Sequence, residues 1–274
     1  MISEKIELLG KNIYKDIPSE LTLTAIPTVS ELEYVSSEDF EKTMIEKIFP
    51  KAIEEKVNFN NLLEIDFQWI CRCLRLINYG PYHTTNRIFC PECGVVDGEA
   101  RVDLRSITCK PLPDDFKNDI VISKDEFIDY KGDVHLHLLT IAEAMNAYKD
   151  KLFMEEGQMK NEAYARICYM ITSMGKDKSV TPVSAKVAIE SEFSAADYKL
   201  LKDAVEHLTN YGLRAGGHTT CPRCHSHEAT FIALVDDRFF RPTVGDLREG
   251  RNDRSARGVE DVPGAEGGSV SSNS

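Results

Sequence analysis

Two Cys-Pro-x-Cys segments constrain what this chain can fold into more than any other feature. They are Cys90-Pro91-Glu92-Cys93 and Cys221-Pro222-Arg223-Cys224, with 127 residues (94 to 220) between them. One CxxC turn supplies two thiolates to an ion, whereas a structural zinc site needs four ligands in a tetrahedron. We therefore expect the fold to bring the two segments, called the first and second knuckle below, together around one structural zinc ion. The predicted ligands are Cys90, Cys93, Cys221 and Cys224.

Two alternatives concern the knuckles. The cysteine pairs could be chance pairs in a reduced protein, but both repeat the proline and both follow an Asn-Tyr-Gly sequence. Three histidines, His218, His225 and His227, also surround the second knuckle. Adjacent residues rarely reach one ion, so His225 is a poor ligand beside Cys224. His227 is retained as an alternative ligand.

Composition limits the classes of protein to consider. The formal net charge of −12 argues against a protein that holds nucleic acid by neutralising phosphates, so a nucleic-acid partner is not expected. The first residues lack the basic start and apolar run of a signal peptide, and no apolar run approaches the roughly 18 residues that span a membrane. We expect a protein of a reducing cytoplasm, in which the other four cysteines are core or helix residues: Cys71, Cys73, Cys109 and Cys168.

The two parts of the chain resemble each other. Leu21 to Thr24 alternates like a strand and precedes a capping box, Thr28 with Glu31; Val134 to Leu138 alternates likewise before Thr140 with Glu143. An apolar stripe from Leu63 to Ile77 predicts a helix that is capped by Asn61 and Glu64 and ends at Gly80. A similar stripe, capped by Ser194 and Asp197, predicts a helix that ends at Gly212. Each knuckle then precedes a predicted strand, 100 to 107 and 229 to 235.

This pattern predicts an α+β, mainly helical fold of two similar halves joined through a four-cysteine, zinc-ribbon-like site. The halves would be residues 1–110 and 111–242, related by an internal duplication. The alternative is an accidental match, because capping boxes and glycine-terminated helices are common. The composition of residues 243–274 predicts a disordered tail, since it has few apolar residues to bury.

Further elements are predicted between these segments. Helices are expected from Ser37 to Phe49, ending at Pro50, and from Ala163 to Met174, ending at Gly175. Ile120 to Ile122 is expected to form a strand. His135 and His137 share one face of the later strand, and a solvated face is a better interpretation of them than a metal pair.

The sequence contains no P-loop, GxSxG, HExxH or dinucleotide-binding fingerprint, so an enzyme is not expected. The segment Phe239-Phe240-Arg241-Pro242 stands at the end of the predicted folded region. Its two aromatic rings either close the core or dock on a partner. Phe239, Phe240 and Arg241 are therefore candidate partner-binding residues.

Together these elements resemble the baseplate hub-assembly proteins of T-even-like contractile-tailed bacteriophages, over roughly residues 5 to 242. The residues that carry the resemblance lie in the first strand, helix and knuckle: Leu23, Thr28, Glu31, Asp66, Arg75, Tyr79, Gly80, Cys90 and Cys93. Asn78 before Tyr79 departs from the serine that the family pattern leads us to expect. The resemblance implies a non-enzymatic protein of virion morphogenesis whose partners are hub or tail proteins. It would act in the host cytoplasm, either as a transient chaperone or as a component of the finished tail baseplate.

A second function is a zinc-ribbon regulator that binds nucleic acid or polymerase. It would need a basic face, for which the arginines near the first knuckle are candidates: Arg72, Arg75, Arg87, Arg101 and Arg105. The net charge and the size of the helical body argue against it. An enzyme with an unfamiliar site is a third and weaker alternative.

Overall fold

The computed structural model describes residues 3–26, 39–86, 88–94, 98–155, 158–159, 161–214, 216–232, 235, 237–241 and 243–247. The fold is mixed, with seven α-helices and several small sheets among these residues. The helices are α1 (Phe40–Thr43), α2 (Phe49–Ala52), α3 (Glu64–Tyr79), α4 (Ile141–Lys149), α5 (Glu162–Met170), α6 (Pro182–Glu192) and α7 (Ala195–Thr209). A π-helical turn, Met44–Ile48, joins α1 to α2.

The strands are short and all pair antiparallel. They are β1 (Ser3–Glu7), β2 (Glu20–Thr24), β3 (Tyr82–Thr85), β4 (Ile88–Phe89), β5 (Ala100–Asp103), β6 (Cys109–Lys110), β7 (Ile120–Ile122), β8 (Val134–Leu136), β9 (Met154–Glu155), β10 (Gln158–Met159), β11 (Ile171–Met174), β12 (Gly212–Leu213), β13 (Gly216–Thr219) and β14 (Ala229–Ile232). Two sheets have three strands, in the orders β11-β8-β7 and β13-β14-β4. The other four are the pairs β1-β2, β3-β5, β6-β12 and β9-β10.

Helix α3 follows its predicted stripe. Phe67, Ile70 and Leu74 are at most 2% exposed, and the helix ends before Gly80, whose φ of 80° is a backbone conformation that favours glycine. Its start differs from the prediction, because Leu63 occupies the N-cap position without a side-chain cap. The hydroxyl of Tyr14 instead accepts the Leu63 N–H at 2.8 Å. A tertiary contact therefore replaces the predicted local cap.

In the later part of the chain both predicted capping boxes are confirmed, Thr140 with Glu143 on α4 and Ser194 with Asp197 on α7. The predicted strand Ile120–Ile122 is confirmed as β7. The predicted helix from Ala163 to Met174 is wrong in its last turn, because Ile171–Met174 leaves the helix and pairs with β8 as β11. Pairing with an existing strand outweighs the helical period of a short apolar run.

The helix predicted to end at Pro50 runs on to Ala52. Pro50 lies in the first turn of α2, directly after the π-helical turn Met44–Ile48, and the helical backbone continues through it. The Thr28–Glu31 capping box and the predicted helix start at Ser37 lie outside the described residues.

The buried side chains form two cores. The first core contains buried side chains from Ile6 to Ile107 together with side chains from later in the chain, among them Cys221, Ala229, Phe231, Phe239 and Phe240. The other extends from Leu112 to Leu208 and includes Leu63. The chain therefore returns to its first core after α7. The division into halves at residues 110 and 111 stays a prediction, and residues 216–240 contribute to the core of the first half.

The predicted disordered tail begins too early. Residues 243–247 form a helical turn, in which Asp246 is 1% exposed. Its carboxylate accepts the Thr84 hydroxyl at 3.0 Å and the Thr243 N–H at 2.9 Å. Residues 248–274 lie outside the described residues.

Two buried aspartates occupy the third position of α3 and α7 and each holds a strand-connecting loop. Asp66 accepts the N–H groups of Leu9 and Gly10, between β1 and β2, together with the Tyr14 hydroxyl. Asp197 accepts the N–H groups of residues 128, 129 and 130, between β7 and β8. Each long helix is thus tied at its start to the strand pair before it.

The pKa values of the two aspartates move in opposite directions. Burial raises the pKa of Asp66 to about 6 although its hydrogen bonds act the other way. Burial also acts to raise the pKa of Asp197, but three backbone N–H donors and Ser194 outweigh it and lower the pKa to about 2. Burial outweighs the hydrogen bonds at Asp66, whereas the hydrogen bonds together outweigh burial at Asp197.

Candidate metal centre

The sheet β13-β14-β4 brings the two knuckles to one place. β4 and β13 pair with opposite edges of β14 and are both antiparallel to it, so they run in the same direction. Their carboxyl ends therefore lie at the same end of the sheet. Cys90 follows β4 directly, and Cys221 lies two residues after the end of β13. Pairing between distant segments thus creates the contact that the sequence spacing required.

The two knuckles have the same turn geometry. After the first knuckle, Gly94 has a φ of 65° and its N–H donates to the Cys90 carbonyl at 2.9 Å. After the second, His225 has a φ of 60° and its N–H donates to the Cys221 carbonyl at 3.0 Å. A left-handed residue closes each turn, although only the first knuckle has glycine there.

The four sulfur atoms form one cluster. Cys90 Sγ lies 3.6 Å from Cys224 Sγ, and Cys93 Sγ lies 3.6 Å from Cys221 Sγ. All four lie within 4.8 Å of one another. A disulfide would need an S–S distance of about 2.05 Å, so these contacts are not covalent bonds. The cluster can hold a metal ion, with each knuckle contributing two of its ligands.

In the second knuckle Cys221 favours the thiolate, whereas the pKa of Cys224 is raised to about 12: the Ser226 N–H acts to lower it, but burial and hydrogen bonds with the other three sulfur atoms outweigh that donor. The pKa of Cys221 is lowered to about 6, first because the backbone N–H of Cys224 donates to its sulfur and then because the Arg223 N–H does so, at 3.4 Å. Burial acts in the opposite direction. Since the thiolate is the metal ligand, backbone donors prepare this position for an ion.

The histidines of the second knuckle lie outside the sulfur cluster. His227 Nδ1 is 3.1 Å from the Thr220 hydroxyl. Among the described residues, the cluster of side chains that could hold a metal ion consists of the four cysteines and does not include His227. The two histidines of the earlier strand, His135 and His137, also contact other side chains. His135 contacts Asp119 at 2.9 Å, and His137 contacts Glu143 at 3.1 Å.

Phe239 and Phe240 close the core. Each is 2% exposed, and their rings lie 5.3 Å from His83 and 6.1 Å from Phe40, respectively. Of the two alternatives for these rings, core packing and docking on a partner, the structure shows core packing. Their assignment as partner-binding residues is therefore corrected: docking would first require them to leave the core. Arg241, the third candidate, is exposed.

Two arginines near the first knuckle are internal. Arg75 is 0% exposed and donates to the carbonyls of Phe239 at 2.8 Å, Gly80 at 3.0 Å and Tyr82 at 2.7 Å. Arg72 is 9% exposed and donates twice to the Leu104 carbonyl. One signal of this burial is present in the sequence, because both arginines stand among the apolar residues of α3. Arg75 therefore links α3 to β3, through Tyr82, and to Phe239 near the end of the described chain.

The two left-handed turn residues give a matched pair of variants. Gly94→Ala should destabilise the metal-loaded protein by about 1 to 2 kcal/mol, because an added Cβ meets no atom within 4 Å and only the backbone conformation is penalised. His225→Gly should leave stability unchanged or raise it by up to about 1 kcal/mol, since relief of the same strain exceeds the entropy cost of glycine. Urea unfolding of both variants checks this. A greater loss for His225→Gly than for Gly94→Ala would contradict the shared geometry.

Comparison with known proteins adds no relative, since no protein-family model, curated protein or solved structure matches the chain. Over the part of the chain that the structure describes, none of the helices combines the length and apolar character that crossing a membrane requires.

Proposed function

We propose that the four-cysteine cluster binds one zinc ion with a structural role. A tetrahedral ion with metal–sulfur bonds of about 2.3 Å places its sulfur ligands roughly 3.8 Å apart. The 3.6 Å contacts between the knuckles are close to that separation. Four sulfur ligands complete a tetrahedron and leave no position for a reacting water, so the ion would join the two knuckles rather than catalyse a reaction.

We propose further that the chain is a non-enzymatic protein of phage tail baseplate assembly, which binds hub or tail proteins in the host cytoplasm. One observation carries this proposal: the described residues that underlie the resemblance belong to one structural unit. Asp66 holds the β1–β2 loop, Arg75 bonds the Gly80 carbonyl, and the guanidinium carbon of Arg75 lies 4.9 Å from the ring centre of Tyr79. The unit then leads into the first knuckle. Residues that build a fold together are the kind of pattern that the members of one family share.

The internal duplication is also a proposal, and the two buried aspartates support it. Asp66 and Asp197 each stand 24 residues before the first cysteine of their own knuckle (66 to 90, 197 to 221). Each is the third residue of its helix and binds the loop between two antiparallel strands. The left-handed residues that follow the knuckles add a third correspondence. Accidental similarity of capping boxes would not require these tertiary contacts to agree.

The zinc-ribbon regulator is less well supported, because the arginines proposed for its basic face serve other contacts. Arg72 and Arg75 are buried, and Arg105 is bonded to Asp103 at 2.9 Å. The guanidinium carbon of Arg101 lies 4.3 Å from the ring centre of Tyr82. Arg87 lies outside the described residues. Buried guanidinium groups cannot neutralise phosphates, so this set does not form the face that the regulator would need.

A phage deleted for this chain tests the assembly proposal. We expect such a phage to make heads but no sheathed tails, and expression of the wild-type chain during infection to restore them. Pull-down from infected cells at low salt, after nuclease treatment, should recover hub or tail proteins. Unchanged transcription separates this result from a regulatory defect. Normal tails in the deletion phage would reject the assembly role.

A further inference from the structure

The two cores meet where the segment after β8 pairs with the start of α3. The Ile141 N–H donates to the Leu62 carbonyl at 2.8 Å, and the Glu64 N–H donates to the Leu139 carbonyl at 3.0 Å. Ile141, at the start of α4, is buried in the first core, whereas Leu63, directly before α3, is buried in the second. Side chains therefore cross between the cores at these two hydrogen bonds, which are called the junction below.

The ring of His137 lies between two hydrogen-bond acceptors. Its Nδ1 is 3.0 Å from the carbonyl oxygen of Met170, the last residue of α5, and its Nε2 is 3.1 Å from a carboxylate oxygen of Glu143 on α4. Neither a carbonyl oxygen nor an ionised carboxylate can donate a hydrogen bond. Both ring nitrogens must therefore donate, and only the protonated imidazolium carries a hydrogen on each of them. The geometry fits His137 in its charged form.

The Glu143 carboxylate connects His137 to the junction. Its other oxygen accepts the Thr140 N–H at 2.8 Å and the Thr140 hydroxyl at 2.9 Å. Thr140 is the N-cap of α4, and it stands between Leu139 and Ile141, which make the two junction hydrogen bonds. His137 therefore holds in place the carboxylate that caps α4 beside the junction.

The other titratable groups on the elements packed around His137 have partners of their own. On the strands, His135 contacts Asp119 at 2.9 Å, and β11 carries no titratable side chain. The titratable side chains of α5 nearest to its end form two pairs with other residues, Arg166 with Glu64 and Tyr169 with Asp150. Glu143 is therefore the charged side chain that decides the protonation of His137.

The pKa values of His137 and Glu143 move in the directions that this contact requires. Burial acts to lower the pKa of His137, but the hydrogen bond and charge of Glu143, with the Met170 carbonyl, outweigh it and raise the pKa above its usual value. Burial acts to raise the pKa of Glu143, but its contacts with His137 and Thr140 lower it. The folded chain thus binds the His137 proton more tightly than the unfolded chain does. The resulting stabilisation is complete below about pH 6.5, the usual pKa of histidine, and is lost as the pH rises through the raised pKa.

We propose that His137 is a pH-sensitive lock at the junction between the two cores. In its charged form the ring holds the Glu143 carboxylate on the cap of α4. When the ring loses a proton, Nδ1 keeps its hydrogen bond to the Met170 carbonyl, and Nε2 presents a lone pair to the carboxylate. Repulsion between these two acceptors then loosens the start of α4 and, with it, the junction. The lock depends neither on the zinc ion nor on the phage assignment.

NMR titration of the histidine rings in the full-length, metal-loaded protein tests the protonation step. We expect the midpoint of His137 to lie above about pH 6.5. Glu143→Gln should move this midpoint downward, because the glutamine amide can still cap Thr140 and can donate to the neutral Nε2. This variant removes the charge without removing the cap.

Amide hydrogen exchange, corrected for the intrinsic effect of pH on exchange, tests the loosening. The N–H groups of Ile141 and Glu64 form the junction, so they should lose protection as the pH rises from about 6 to about 8 in the wild-type protein. In Glu143→Gln their protection should stay unchanged over this range. His137→Asn should behave in the same way, since its amide can still donate to the Met170 carbonyl but does not titrate.

His135→Asn is the matched control. His135 lies two residues before His137 on the same face of its strand and contacts Asp119, which is 64% exposed. This variant should therefore keep the wild-type loss of protection. A His137 midpoint at or below about pH 6.5, an unchanged midpoint in Glu143→Gln, or equal pH dependence of His135→Asn and His137→Asn would overturn the proposal.

Discussion

Purified Cys221→Ser protein is expected to lose its bound metal as completely as Cys90→Ser protein. The four sulfur atoms form one cluster with the short contacts running between the knuckles, so removing a ligand from either knuckle breaks the same site. The wild-type chain should contain about one equivalent of zinc by elemental analysis, and each variant close to none. Because metal binding is coupled to folding, each variant should also lose several kcal/mol in free energy of unfolding.

Cys109→Ser is the control for this experiment, since Cys109 is partly exposed and lies outside the sulfur cluster. It should retain one equivalent of zinc and most of the wild-type stability. His227→Ala should likewise retain the metal, because its ring contacts Thr220. Full zinc content in Cys221→Ser would reject a site shared between the two knuckles. Loss of zinc in His227→Ala would instead restore His227 as a ligand.

The cysteine cluster could be predicted from the sequence because ligand number and spacing limit the solutions. Two CxxC turns make four ligands only if the fold joins them, whatever lies between Cys93 and Cys221. The capping boxes at Thr140 and Ser194 could also be predicted from the sequence, since a capping box is a local hydrogen-bond pattern of four residues. The stripe of α3 was visible for the same reason, as helical period is a local property.

The remaining features depend on contacts between distant segments. Ile171–Met174 becomes a strand because β8 is beside it, and the start of α3 depends on a hydroxyl from Tyr14. The return of residues 216–240 to the first core follows from pairing of β14 with β4, which no local pattern specifies. The same return buries Phe239 and Phe240. Composition alone placed the start of the tail at residue 243 and could not reveal that Asp246 is buried.

The burial of Arg75 leads to the second large expected effect. Its guanidinium donates to three backbone carbonyls in three segments of the chain. They are the carbonyls of Gly80 at the end of α3, of Tyr82 in β3, and of Phe239 near the end of the described chain. Burial lowers the pKa of Arg75 to about 10, opposed by the nearby Asp246, so the group keeps its charge at neutral pH. A hydrophobic side chain of similar length would fill the space but donate to none of these carbonyls.

Arg75→Met is therefore expected to reduce the free energy of unfolding by about 3 to 5 kcal/mol, because three backbone carbonyls lose their charged donor at about 1 to 3 kcal/mol each. Arg105→Met is the matched control: the bond of Arg105 to Asp103 is exposed, and its loss should cost at most about 1 kcal/mol. Urea unfolding of both proteins at equal zinc saturation makes the comparison. Arg75→Met should also expose residues 237–247 to limited proteolysis, because the Phe239 carbonyl loses its link to α3. Equal stability of the two variants would mean that Arg75 does not secure this segment.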